Sequence, residues 1–111
     1  MNTIQDFTAK LDNLNWTKYD FETNTLISDE GYKLSYNVDL HSTPSLRIPI
    51  FQVVIRLRYK KSHVMTWGCD SHDNQDFFGK WFASNKQIAI DLEYERERIE
   101  KGNAQDFFFN L

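Results

Sequence analysis

Several residue types are scarce in this chain of 111 amino acids, and each scarcity excludes a class of protein. Cys69 is the only cysteine, so a scaffold held together by disulfides is excluded. Four glycines and two prolines are too few for a collagen, a low-complexity segment or a glycine-rich phosphate loop. No apolar run approaches the length of about 18 residues that a membrane-spanning helix requires. The sequence therefore predicts one folded domain that does not span a membrane.

Aromatic residues are abundant instead, with nine Phe, five Tyr and three Trp making up 15% of the chain. So much apolar side chain offsets the entropy lost on folding, which excludes intrinsic disorder. A domain of this size buries only about two thirds of its unfolded surface, so some aromatic rings must stay near the surface. Trp16 and Trp67 have no evident place in the predicted core. Because aromatic residues and arginine anchor interfaces, the surplus favours a protein-binding role.

The net charge of −3 conceals an uneven distribution along the chain. Residues 47–63 carry five bases and no acid, whereas residues 1–46 and 64–111 each carry a net charge of −4. We expect the acidic flanks to fold over the basic centre and neutralise it. The N-terminus lacks the basic and apolar regions of a signal peptide, and a single free cysteine fits a reducing compartment. We therefore expect a cytoplasmic protein.

Hydrophobic periodicity predicts an α+β fold, with an antiparallel meander of three or four strands and helices packed on one face. Apolar residues at helical spacing predict an N-terminal helix over residues 3–15. Alternation is strongest over residues 32–41 and 50–59, and residues 64–67 fit a returning strand. The pattern over residues 16–28 also favours strands, but less clearly.

The C-terminal third predicts helix over residues 73–101. One straight helix of that length would measure about 43 Å, so we expect a break near Ser84 and Asn85. Residues 88–95 also alternate as a strand would, but the strong helix formers and opposite charges that follow favour helix. We divide the chain into a single α+β domain of residues 1–103 and an aromatic C-terminal tail of residues 104–111.

The segment around Cys69 offers a candidate for catalysis. Cys69 precedes a predicted helix, whose N-terminus would lower the pKa of the thiol, and His72 is near enough in sequence to act as a base. Cys69, His72 and His63 also form a possible metal set, which Asp70 or Asp73 would complete. Strong zinc signatures contain two paired motifs, so we expect neither a metal nor a cofactor. A cysteine-dependent enzyme centred on Cys69 and His72 stays as an alternative function.

The basic strand end over residues 56–61 offers a candidate for nucleic-acid binding. Arg56, Arg58 and Lys60 are predicted to alternate onto one face, where they could contact phosphates. A stacking platform also needs aromatic rings on that face, and Tyr59 is predicted to point the other way. A nucleic-acid-binding accessory protein is therefore a further alternative, possible but not favoured.

The C-terminal tail carries three consecutive phenylalanines, Phe107, Phe108 and Phe109, after Asp106. It resembles the short acidic-aromatic C-terminal peptides with which phage and bacterial replication proteins bind sliding clamps. We favour the alternative that the tail packs back on the sheet or across a dimer, because an exposed Phe triplet would promote aggregation.

These observations together favour a small non-catalytic binding, adaptor or inhibitor-type protein that acts through aromatic surface contacts. Its predicted partner is another protein or a second copy of the chain, and its size and acidic balance suit a phage or bacterial accessory protein. The predicted binding residues are Trp67, Phe107, Phe108, Phe109, Arg56, Arg58 and Lys60.

Overall fold

The computed structural model describes the backbone of residues 3–41, 50–69 and 71–109, and their side chains except at 39–41, 50–51 and 106–109. Two helices and five strands follow one another as α1 (Ile4–Leu11), β1 (Trp16–Asp20), β2 (Thr25–Ser28), β3 (Tyr32–His41), β4 (Ile50–Tyr59), β5 (Ser62–Cys69) and α2 (His72–Phe109). The strands form one antiparallel sheet in the order β1-β2-β3-β4-β5. The predicted α+β class and antiparallel meander are confirmed.

The predicted strand number of three or four is wrong, because both short strands near the N-terminus form. The turn between β1 and β2 closes at Asn24, whose φ of 51° lies in the left-handed region that asparagine tolerates. The Asn24 amide donates a hydrogen bond to the carbonyl oxygen of Tyr36 on β3, and its side-chain oxygen accepts one from the hydroxyl of Tyr19 on β1. One turn residue therefore links three strands, which stabilises the edge of the sheet.

Helix α1 begins at the predicted place but ends four residues early. Thr3 caps it in a reciprocal arrangement, with the Thr3 hydroxyl accepting from the Asp6 N–H and the Asp6 carboxylate accepting from the Thr3 N–H. The chain then turns towards β1, and the N–H of Asn15 donates to the carboxylate of Glu30 over 2.9 Å. The helix therefore ends before the apolar pattern does, and this link between distant residues holds the chain that follows it.

Both helices pack on the same face of the sheet. Across the central strands that face consists of laterally paired residues, Tyr36 with Ile55 and Trp67, and Leu34 with Leu57 and Met65. Phe78 of α2 is fully buried against this face, with its ring 5.4 Å from that of Tyr36 and 6.3 Å from that of Phe7. Apolar residues of both helices complete the core, namely Ile4, Phe7, Leu11, Phe78, Phe82 and Ala89.

Helix α2 is continuous over 38 residues, so the predicted break near Ser84 and Asn85 is wrong. The Asn85 amide donates to the carbonyl oxygen of Trp81 over 2.9 Å, within the helix, and therefore does not interrupt it. At 1.5 Å per residue the helix measures about 57 Å. The break was expected because a compact domain is shorter than this, but the molecule extends over 71 Å in its longest dimension. The strand alternative for residues 88–95 is excluded.

The predicted aromatic tail overlaps with this helix. The backbone of residues 104–109 continues α2, whereas the side chains of Phe107, Phe108 and Phe109 lie outside the described residues. The division into a domain of residues 1–103 and a tail of residues 104–111 stays a prediction.

Two substitutions at Asn24 separate its hydrogen bonds from its backbone conformation. Asn24→Ala removes both side-chain hydrogen bonds and replaces asparagine, which tolerates the left-handed region, with alanine, which does not, so we expect a loss of about 1–3 kcal/mol in urea unfolding. Asn24→Gly also loses the hydrogen bonds but adopts the positive φ freely, and should be about 1 kcal/mol more stable than the alanine variant. An alanine variant as stable as the unsubstituted protein would contradict this role.

Candidate functional site

An apolar groove lies between α1 and the paired ends of β4 and β5, with a volume of about 330 Å³. That volume lies at the lower end of the range for ligand-binding clefts. The groove is lined by Asp6, Phe7, Lys10, Leu11, Leu14, Tyr32, Leu57, Val64, Met65 and Trp67. Eight of these ten side chains are aromatic or aliphatic, so the groove suits an apolar occupant.

Trp67, one of the predicted binding residues, lies in this groove. Its ring stacks on that of Phe7, with 5.5 Å between the centroids and 28° between the planes. Phe7 in turn contacts the buried ring of Phe78. Trp67 is only half-buried, because α1 covers one part of its ring and leaves the rest facing the groove. A rigid aromatic surface held from behind is typical of interface anchors.

Val64 reaches the groove because β5 contains a bulge. Leu57 pairs with Met65 and the next residue, Arg58, pairs with His63, so Val64 has no partner on β4. The irregularity turns Val64 to the same side as Met65, where its side chain lines the groove and stays 46% exposed. Bulges are common on edge strands and redirect single side chains in this way. Strict alternation would have placed Val64 on the opposite face.

Two charged side chains stand at the rim of the groove, one helical turn apart on α1. The Asp6 carboxylate is engaged in capping the helix, where it accepts from the Thr3 N–H over 3.2 Å. Within the described part of the chain, Lys10 makes no ion pair with a neighbour. The rim therefore presents an available cation beside an apolar floor.

Cys69, the candidate nucleophile, is buried at the end of β5 with no exposed surface. Its carbonyl oxygen accepts from the Gln75 amide over 2.9 Å, which ties the strand to the first turn of α2. Burial, with a smaller contribution from Cys69, raises the pKa of the Tyr36 hydroxyl above its usual value. His72 is exposed at the start of α2. A buried thiol cannot meet a substrate without local opening.

The possible metal set does not form a cluster. Among the residues that the structure describes, no three His, Cys, Asp or Glu side chains lie close enough to hold an ion. His63 instead contacts the Thr66 hydroxyl over 2.8 Å. Asp70 lies outside the described residues.

The three basic candidates are separated. Arg56 and Arg58 lie on the sheet face away from the helices, where they pair laterally with Ser35 and Lys33 of β3. Lys60 lies beyond the end of β4 in the hairpin turn, with a φ of 55° and its Nζ atom 5.4 Å from the Tyr59 ring centroid. The expectation that Lys60 continues the arginine face is therefore wrong, because the turn redirects it.

The expectation that Trp16 lacks a core position is also wrong. Trp16 is buried, and its indole nitrogen donates to the carbonyl oxygen of Leu11 over 2.9 Å. Sequence reasoning missed the groove contributions of Phe7, Leu14 and Val64; Phe7 and Leu14 carried a signal, their place on the apolar stripe of the predicted N-terminal helix, and Val64 carried none.

The chain matches no protein-family model, no curated protein and no solved structure. None of the helices that the structure describes is long and apolar enough to cross a membrane. Any functional conclusion therefore rests on the residues described above.

The burial of Cys69 makes a direct prediction about its reactivity. In the native protein at neutral pH we expect iodoacetamide to label Cys69 at least about tenfold more slowly than in the urea-unfolded chain, because labelling requires local opening. A Ser62→Cys variant supplies an exposed thiol on the same strand as an internal control. Labelling of Cys69 as fast as that of the cysteine at position 62 would contradict the burial and restore the thiol as a candidate nucleophile.

Proposed function

We propose that this protein is a non-catalytic protein-binding domain, and that the groove between α1 and β5 is its binding site. The observation that carries the proposal is the half-buried Trp67 ring, stacked on Phe7 and facing an apolar groove. Water is poorly accommodated over such a surface, so covering it with an apolar side chain is favourable.

The groove also specifies the chemistry of its partner. An aromatic or long aliphatic side chain would fill the space over Trp67 and Leu57. The uncompensated ammonium of Lys10 at the rim favours a carboxylate close to that anchor in the partner. We therefore propose an exposed segment of another protein, in which an apolar anchor lies next to Asp or Glu. Binding such a segment in the groove would be sufficient for an adaptor or for an inhibitor that blocks its partner's surface.

The two alternative functions have less support. A cysteine-dependent enzyme needs an accessible thiolate, and Cys69 is buried. Single-strand binding by base stacking needs basic and aromatic groups on one surface, and the arginine face pairs Arg56 and Arg58 with Ser35 and Lys33 rather than with aromatic rings. The phage or bacterial setting and the cytoplasmic location stay expectations from composition.

A random peptide library displayed on phage and selected on the immobilised full chain tests the proposal. We expect enriched peptides that join an aromatic residue or leucine to Asp or Glu. Val64→Arg places a charge in the groove and should weaken the selected peptides at least about tenfold, which corresponds to about 1.4 kcal/mol. Isothermal titration of synthetic peptides gives the affinities.

Ser62→Arg is the matched control, because Ser62 is exposed on the same strand and does not line the groove. It should leave the affinity unchanged. Failure to enrich any peptide, or equal binding by both arginine variants, would overturn the groove as the binding site.

A further inference from the structure

The molecule exposes more surface than its mass requires. Its accessible area is 8160 Å², whereas a compact monomer of 13.2 kDa exposes about 6,400 Å². Its radius of gyration is 18.3 Å, against about 13 Å for a compact domain of this length. The excess area, about 1,700 Å², is larger than the roughly 800 Å² that each partner contributes to a standard interface. Helix α2 contributes to this excess, because it is about 57 Å long and nearly all of its described side chains after Ile90 are exposed.

The exposed part of α2 carries an apolar stripe that the core does not use. Ile88, Leu92 and Ile99 lie within about 40° of one another around the helix. Their exposed fractions are 51%, 45% and 54%. Trp81 lies on the same line about two turns before Ile88. There the segment between α1 and β1 covers it, and its indole nitrogen donates to the carboxylate of Asp12 over 2.7 Å. The stripe is therefore covered at Trp81 and exposed at Ile88, Leu92 and Ile99.

A helix that projects in this way needs support. An isolated helix of a dozen residues is marginal in water even for favourable sequences. Residues 98–109 include Gly102, which lowers the helix propensity of this segment. A Cβ atom added at Gly102 would have no neighbouring heavy atom within 4 Å, so no packing requires a glycine there. The Arg98–Glu95 ion pair is exposed and contributes little. Among the described side chains of this part of α2, apolar contact along the stripe is the source of stability that a partner can supply.

We propose that a second copy of the chain covers this stripe, with the two α2 helices packed antiparallel. The alignment places Ile88 against Ile99 of the second copy, and by symmetry Ile99 against Ile88. On one flank of the stripe the same alignment leaves Asp91 within two residues, about 3 Å along the helix axis, of Arg98 of the second copy on both sides of the two-fold axis, so the flanking charges are complementary. Glu95 lies beside Leu92 near the two-fold axis, where Arg98 of its own chain pairs with it and offsets the charge of its carboxylate. This interface is separate from the groove and does not depend on its function.

Sedimentation equilibrium of the full chain, from micromolar to submillimolar concentration, tests the proposal. We expect a monomer–dimer equilibrium whose dissociation constant rises at least about a hundredfold in Leu92→Glu and in Ile99→Glu, because each buries a carboxylate. Tyr94→Glu is the matched control, since Tyr94 is 69% exposed but lies on the opposite side of the helix. It should leave the dimer unchanged. A monomer at every concentration, or equal disruption by all three variants, would overturn the proposal.

Charge reversal tests the antiparallel alignment. Asp91→Arg and Arg98→Glu should each weaken the dimer about tenfold, because each creates two like-charge pairs, and the double variant should regain most of that affinity. Far-ultraviolet circular dichroism confirms that helix content is retained in each variant. Double-variant affinity no better than that of either single variant would overturn the antiparallel alignment.

Discussion

The buried ring of Phe78 is the contact on which the rest of this structure depends. It lies against Tyr36 of the sheet, Phe7 of α1 and Trp81 of its own helix, with ring centroids 5.4 to 6.3 Å apart. Removing a buried phenylalanine typically costs about 3–5 kcal/mol, a large part of the stability of a small domain. Because Phe78 supports Phe7, and Phe7 supports Trp67, the groove exists only while this aromatic contact is intact.

The same contact explains why α2 projects. Phe78, Phe82 and Ala89 dock the N-terminal half of the helix, and no comparable buried set follows them among the described side chains up to Gln105. Further along, Phe21 of the β1–β2 turn lines a shallow hollow together with Ile90, Tyr94 and Glu97, on the side of the helix away from Ile88 and Leu92. The domain thus leaves two apolar surfaces uncovered, one beside α1 and one along α2. Surfaces of this kind are typical of proteins that work through contacts with other chains.

Sequence patterns predicted the parts of this fold that depend on local periodicity. The spacing of Ile4, Phe7 and Leu11 located α1, and alternation located β3 and β4. The number of strands depended instead on Asn24, whose long-range hydrogen bond to Tyr36 leaves no local signal. A break in α2 was predicted because the domain was expected to be compact, whereas the helix is continuous over 38 residues. Of the groove residues, the sequence singled out only Trp67 as a binding residue. The bulge that turns Val64 into the groove depends on how β5 pairs with β4, and the sequence of β5 alone does not reveal that pairing.

We propose that a second polypeptide completes the exposed apolar surface of this domain, most clearly along α2. Amide hydrogen exchange of the unsubstituted protein across a concentration series tests it most directly. We expect the amides of residues 92–105 to gain protection as the protein concentration rises, while those around Phe78 stay equally protected throughout. Rapid exchange over residues 92–105 at every concentration would contradict the account, as would protection there that does not change with concentration.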